Sequence, residues 1–220
     1  MPSFRLGLNR RALLAFNAAA FAAALTVAPA FAAQDEGPMK VPMDQLMAPQ
    51  ALPDLWLGDP KAPVTIVEYA SLTCSHCAHF TIRTLPKLKT DYIDKGKVRY
   101  TLREFPLDPL AAAAAMLARC SGDKREAVVE LLFQTQSSWA FGKNPLEALT
   151  STLKQTGMGQ SAFEACLNDD ALFKKIDAER TSAQTKFNIT ATPTFFINGA
   201  KHAGDIPPDE LDALLAPYLK

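Results

Sequence analysis

A run of β-branched and aromatic residues from Val64 to Tyr69 gives way within a few positions to helix-like apolar spacing, and Cys74-Ser75-His76-Cys77 stands at that junction. The motif ties a buried strand to the start of a helix. Two cysteines one helical turn apart can close on each other as a disulfide, and a thiol at a helix start sits among unsatisfied N–H groups at the positive end of the macrodipole. Cys74 is therefore expected to be acidic and reactive.

Around this junction the chain divides by its periodicities. Residues 33–57 carry Pro38, Pro42, Pro49 and Pro53 with few periodic apolar positions and read as a mostly extended lead-in. Residues 62–70 and 98–105 are β-branched-rich strands, and between them residues 75–93 have apolar residues at helix spacing with Pro86 as a kink or break. From residue 106 to 187 the pattern is helical throughout: Asp108 is an N-cap, Pro109 the first helical residue, and Ala111 to Ala115 strong helix formers. Further helices are expected at 124–133, 145–155, 160–167 and 170–186. Residues 194–198 form a short strand, Asn198-Gly199 a hairpin turn and 201–203 its return, before a final helix opened by Pro207-Pro208 with Leu211, Leu214, Leu215 and Tyr218 in one stripe.

Residues 1–32 differ from the rest: Arg5, Arg10 and Arg11 precede an Ala-rich apolar stretch, and Ala30-Phe31-Ala32 supplies a small-x-small cleavage pattern. This reads as a removable export signal rather than a membrane anchor, because the apolar run is short and interrupted by Asn17 and Pro29. Arg10-Arg11 leaves the general secretory and twin-arginine routes both open. Without those arginines the chain has 20 basic against 23 acidic residues, about −3, which argues against nucleic acid or an anionic membrane as partner. Export into an oxidising compartment permits disulfides, with Cys74/Cys77 and Cys120/Cys166 the natural pairing.

Other chemistries fit the motif poorly. Zinc could draw on Cys74, Cys77, His76 and His79, but residues this close on one helix start cannot readily surround a tetrahedral ion. Haem attachment needs histidine directly after the second cysteine, where Ala78 stands. A structural disulfide is the remaining alternative. Glu68, in an otherwise apolar strand, is either buried near the motif or faces solvent from an edge strand.

Three stretches together resemble the DsbA-type thiol:disulfide oxidoreductases of the thioredoxin superfamily: residues 68–77, residues 192–199 (Thr-Pro-Thr-Phe-Phe-Ile-Asn-Gly), and the helical block between them. The resemblance covers roughly residues 57–220. It implies an α/β thioredoxin fold in two parts, 58–105 and 188–220, interrupted by a helical insertion at 106–187. It also implies roles: Cys74 the nucleophile, Cys77 the resolving thiol, His76 a stabiliser of the Cys74 thiolate, and Glu68 a buried acid handling the proton of Cys77. Pro193 would be a cis-proline facing the motif, with the backbone of Thr192 turned towards an extended substrate segment. Cys120 and Cys166 would form a second, structural bridge worth roughly 3 to 4.7 kcal/mol, with free thiols or a second redox pair as alternatives.

The expected protein is thus a periplasmic monomer that donates its Cys74/Cys77 disulfide to exported polypeptides. It would need no metal or organic cofactor and would be reoxidised by a quinone-linked membrane partner. A reductase or isomerase using the same cysteines is the second reading, and a non-catalytic chaperone or binding module the third. Phe80, Trp139, Phe141, Phe195 and Phe196 are divided between core and an apolar substrate surface.

Overall fold

The computed structural model describes residues 39–219, so the expected export signal lies outside the described residues. Strand β1 (Trp56–Leu57) and strand β2 (Val64–Ala70) precede a helical run that begins with α2 (Ser75–His79) and contains α3 (Leu85–Leu88). Strand β3 (Val98–Glu104) follows, then helices α4 (Pro109–Cys120), α5 (Arg125–Gln134), α6 (Gln136–Trp139), α7 (Pro145–Lys154), α8 (Gln160–Leu167) and α9 (Asp170–Phe187). The chain ends with β4 (Thr194–Ile197), β5 (Ala200–Ala203) and α10 (Leu211–Leu215). The sheet order is β1-β3-β2-β4-β5, with only β2 and β3 parallel.

Every residue of β2 is buried, as its β-branched composition and central position require. Alternation then sorts its side chains. Ile66 packs with Phe80, Tyr100 and Phe195 beneath α2, whereas Val67 and Tyr69 face Phe187 and Phe196 on the other side. Glu68 shares the Ile66 face. The register sets it opposite Leu102 on one side and Phe195 on the other, and Phe195 opposite His202.

Pro86 neither ends nor simply kinks its helix. The turn before it widens into a π-helical segment, Phe80–Thr84, in which Leu85 N–H reaches Phe80 O. The wider turn relieves the clash between the proline ring and the preceding carbonyls, and the helical run continues to a second π segment, Lys89–Ile93.

The lead-in departs from the extended reading. It contains a one-turn helix, α1 (Met43–Leu46), whose Leu46 is fully buried, and it supplies β1 to the sheet edge. A single turn is too short to leave a periodic signal. Long-range contacts hold the segment: buried Arg103 pairs with Asp54 through Nε and Nη2 (3.0 and 2.8 Å) and donates from Nη1 to Leu46 O (2.8 Å). Val41 N–H donates to Gly199 O (2.8 Å), and a Cβ at Gly199 would meet Val41 O at 2.2 Å, which with φ +85° makes glycine necessary in this turn.

Between β3 and β4 the described chain is helical, and Asp108 caps α4 by accepting from Ala111 N–H (2.8 Å). Its alanines are packing residues: Ala111, Ala112, Ala114 and Ala115 are buried. Cys120 and Cys166 are bonded, joining the ends of α4 and α8 across 46 residues. Glu104 at the end of β3 takes a bidentate pair from Arg119 (2.7 and 2.6 Å) and a third bond from Arg125 (2.8 Å), all three side chains being largely buried. This clasp joins sheet and insertion. Among the described residues no helix is long and apolar enough to cross a membrane.

Candidate active site

Cys74 is the N-cap of α2 and Cys77 lies one turn inside it. The two are free thiols, so the bond expected between them is open and the structure represents the dithiol. Cys74 retains 9% exposure and Cys77 none, a difference that follows from their places on the helix. The neighbouring Cys77 thiol is the largest influence lowering the Cys74 pKa, and the Thr192 side chain and the backbone N–H groups of Cys77 and His76 act in the same direction. Against the opposing cost of burial, they bring the Cys74 pKa down to about 5. Burial pushes the Cys77 thiol far up, and the Cys74 side chain and the nearby Glu68 carboxyl add to the effect.

Glu68 is fully buried in the central strand, which excludes the edge-strand alternative. Burial is the main cause lifting its pKa to about 8, opposed by a short hydrogen bond from Tyr100 Oη and assisted by Cys74 and Asp205. It is therefore mainly a neutral acid at pH 7, and its carboxylate form would push the Cys77 thiol higher still.

The Thr192-Pro193 bond is cis, and Cys74 Sγ–H donates to Thr192 O (3.2 Å). The loop before β4 thus lies against the nucleophile, with Thr192 and Pro193 both buried. His76 is exposed, and what it presents to the Cys74 sulfur is its backbone N–H. Cys120 and Cys166 are bonded to each other in the insertion, where Cys166 packs into the same buried core as Cys74 and Cys77.

Two contributors have no local sequence signal. Gln136, buried on α6, donates from Nε2 to Leu72 O (2.8 Å) and Cys74 O (3.0 Å), fixing the loop that delivers the nucleophile. Tyr100 holds Glu68 from β3. Thr73 Oγ1 adds a bond to Asp108 Oδ2 (2.5 Å), tying the same loop to α4. Of the aromatics named above, Phe80, Trp139, Phe195 and Phe196 are core, and Phe141 is 63% exposed. Among the described residues no group of three or more His, Cys, Asp or Glu could hold a metal.

A family model described as thioredoxin matches residues 50–216. The crystal structure of alpha-DsbA1 from Wolbachia pipientis is 36% identical and superposes with a TM-score of 0.73, covering 80% of this chain and 95% of that one. A protein-disulfide isomerase from Novosphingobium aromaticivorans is 27% identical with a TM-score of 0.68, over 76% of this chain and 97% of that one. A curated relative from Rickettsia felis, described as a putative protein-disulfide oxidoreductase, is 35% identical over 67% of this chain but 54% of its own length. The chain spans about half the length of the curated Rickettsia relatives it matches. With a CxxC at a helix start, a cis-proline against it and a helical insertion in the fold, the chain belongs to the DsbA-type thiol:disulfide oxidoreductase family of the thioredoxin superfamily.

Proposed function

We propose that the protein oxidises thiols of exported polypeptides in the periplasm, donating its Cys74–Cys77 disulfide. A substrate thiolate attacks Cys74 Sγ; the Cys74–Cys77 bond breaks and the Cys77 sulfur leaves, taking a proton from Glu68. A second substrate thiolate then attacks the substrate sulfur of the mixed disulfide. Cys74 leaves as a thiolate, the substrate carries the new disulfide, and two electrons have passed to the protein.

The observation that carries the direction is the asymmetry of the two thiols. With Cys74 at about 5, its thiolate stabilises the reduced protein at pH 7 by roughly 3 kcal/mol relative to an ordinary thiol, on the order of 60 mV for a two-electron couple. A favoured dithiol makes the disulfide an oxidant. Thr192 and Pro193 present backbone to the substrate segment, His76 stands exposed beside the reacting sulfur, and the chemistry calls for no metal or organic cofactor. The cleavable signal read at 1–32 supports export, and a membrane-bound quinone-linked oxidase is the proposed electron acceptor for the monomer.

Oxidation of a reduced, unfolded cysteine-containing protein by stoichiometric oxidised enzyme tests this reading. The wild type transfers its disulfide and Cys74→Ser does not. A wild type that leaves the thiols unoxidised yet suppresses aggregation of the substrate as well as Cys74→Ser does would instead favour a chaperone, and loss of disulfides from an oxidised substrate incubated with the reduced wild type would favour the reductase reading.

A further inference from the structure

Glu68 is sealed from solvent, so a proton that it gives to Cys77 has to be replaced from outside. On its Tyr100 side the first group is a poor proton relay. Tyr100 is fully buried and its hydroxyl is pushed well above its ordinary range, chiefly by burial, so it donates a hydrogen bond without releasing its proton. Beyond Tyr100 lies a cavity of about 200 Å³ whose wall mixes the apolar Leu57, Leu85 and Val129 with Thr81, Lys89 and Glu130, so a proton from that side would still have to cross the Tyr100 hydroxyl.

The other side carries a second carboxylate. Glu68 Oε1 and Asp205 Oδ1 are both buried and have no protein hydrogen-bond partner. Buried carboxylate oxygens of this kind are satisfied by water. Asp205 follows β5 and is held between the two halves of the site: Gly204 N–H donates to Pro193 O (2.9 Å), and Thr84 Oγ1 donates to Ile206 O (2.6 Å). Its other oxygen, Oδ2, lies 2.5 Å from Nδ1 of His79, on the helix that carries Cys77. The His79 side chain is 46% exposed and that of Asp205 19%, so the pair runs from the interior to the surface.

We propose that Asp205 and His79 form the route by which Glu68 exchanges its proton with solvent, through water seated between Glu68 Oε1 and Asp205 Oδ1. This rests on Glu68 as the proton donor to Cys77. When Cys77 leaves, Glu68 becomes a carboxylate; the intervening water passes it a proton and is resupplied from the His79–Asp205 pair, which is recharged from bulk water. One proton moves inward per disulfide reduced. Imidazole is the side chain suited to such exchange near neutral pH. The ionisable groups around the path are Tyr100 from β3, Cys74 and Cys77 from α2, and His202 across Phe195.

The test follows reduction of the oxidised protein by excess dithiothreitol from pH 5 to 9 in wild type, Asp205→Asn, His79→Gln and His79→Ala. The expected result is a wild-type rate in each variant at pH 5 to 7, where Glu68 already holds its proton, a roughly tenfold slower reaction above pH 8, where Glu68 has to be reloaded through the path, and recovery of His79→Ala there by added imidazole, which leaves wild type unchanged. Wild-type rates and profiles in all three would overturn the proposal, as would slowing by Thr81→Val on the cavity side alone. A wild-type rate in Glu68→Gln would remove the donor on which the route depends. None of these rates depends on the direction proposed for the enzyme, because the glutathione equilibrium decides that separately.

Discussion

At the scale of single residues, the redox chemistry rests on two thiols of the same type separated by their surroundings. Cys74 loses its proton near pH 5 and Cys77 keeps its own, so reduction takes up two protons below about pH 5 and one above it. The reduction potential should fall by about 59 mV per pH unit below that point and about 30 mV above it. A single slope across pH 4 to 8, measured by equilibration with a redox buffer, would contradict the assignment. Glu68→Gln keeps the hydrogen bond from Tyr100 but cannot give a proton; departure of Cys77 should slow about 10²-fold, read as the rate of mixed-disulfide formation. Cys74, Cys77, Glu68, Thr192 and Pro193 were legible because each stands in a local pattern. Gln136, Tyr100 and Asp205 were not, since a glutamine on a short helix and a tyrosine in a strand look like any other until the fold chooses their partners.

At the scale of elements, the long-range attachments matter more than helix propensity. The bond between Cys120 and Cys166 closes a loop of 46 residues between α4 and α8, and replacing both cysteines by alanine should cost about 4 kcal/mol in denaturant unfolding. Glu104→Gln leaves Arg119 and Arg125 buried without a countercharge and should cost about 3 to 5 kcal/mol while leaving the pH slope of the potential intact. Helices α4, α7, α8 and α9 were legible from caps and periodicity, with Asp108 and Pro109 marking a boundary that the structure places at the same residue. Helices α1 and α6 are single turns and carry no period. The π segment before Pro86 was likewise hidden, because proline announces a disruption but not the wider turn that absorbs it.

At the scale of the whole molecule, the strand-helix junction read from the sequence becomes a site with contributions from β2, β3, α2, α6 and the loop before β4. That convergence couples redox state to folding. Cys74 is depressed in the folded dithiol from an ordinary value near 9 to about 5, so its stabilisation is complete above pH 9 and is lost as pH falls through 5. Glu68 acts with the opposite sign: its raised pKa favours the fold below about 4.5 and is lost as pH rises through 8, and its main cause, burial in the central strand, does not depend on the state of the cysteines. The stability of the reduced protein relative to the oxidised one should therefore grow by about 1.4 kcal/mol per pH unit between 5 and 9, measurable by paired denaturant titrations. The most direct test of the central claim is the equilibrium of Cys74 and Cys77 with glutathione at pH 7. A Cys74 pKa near 5, against about 7 for the corresponding thiol of thioredoxin, places the potential about 50 mV above thioredoxin's value of about −270 mV. A potential more positive than about −220 mV is the predicted result, and one at or below about −270 mV would contradict the protein's assignment as a disulfide donor.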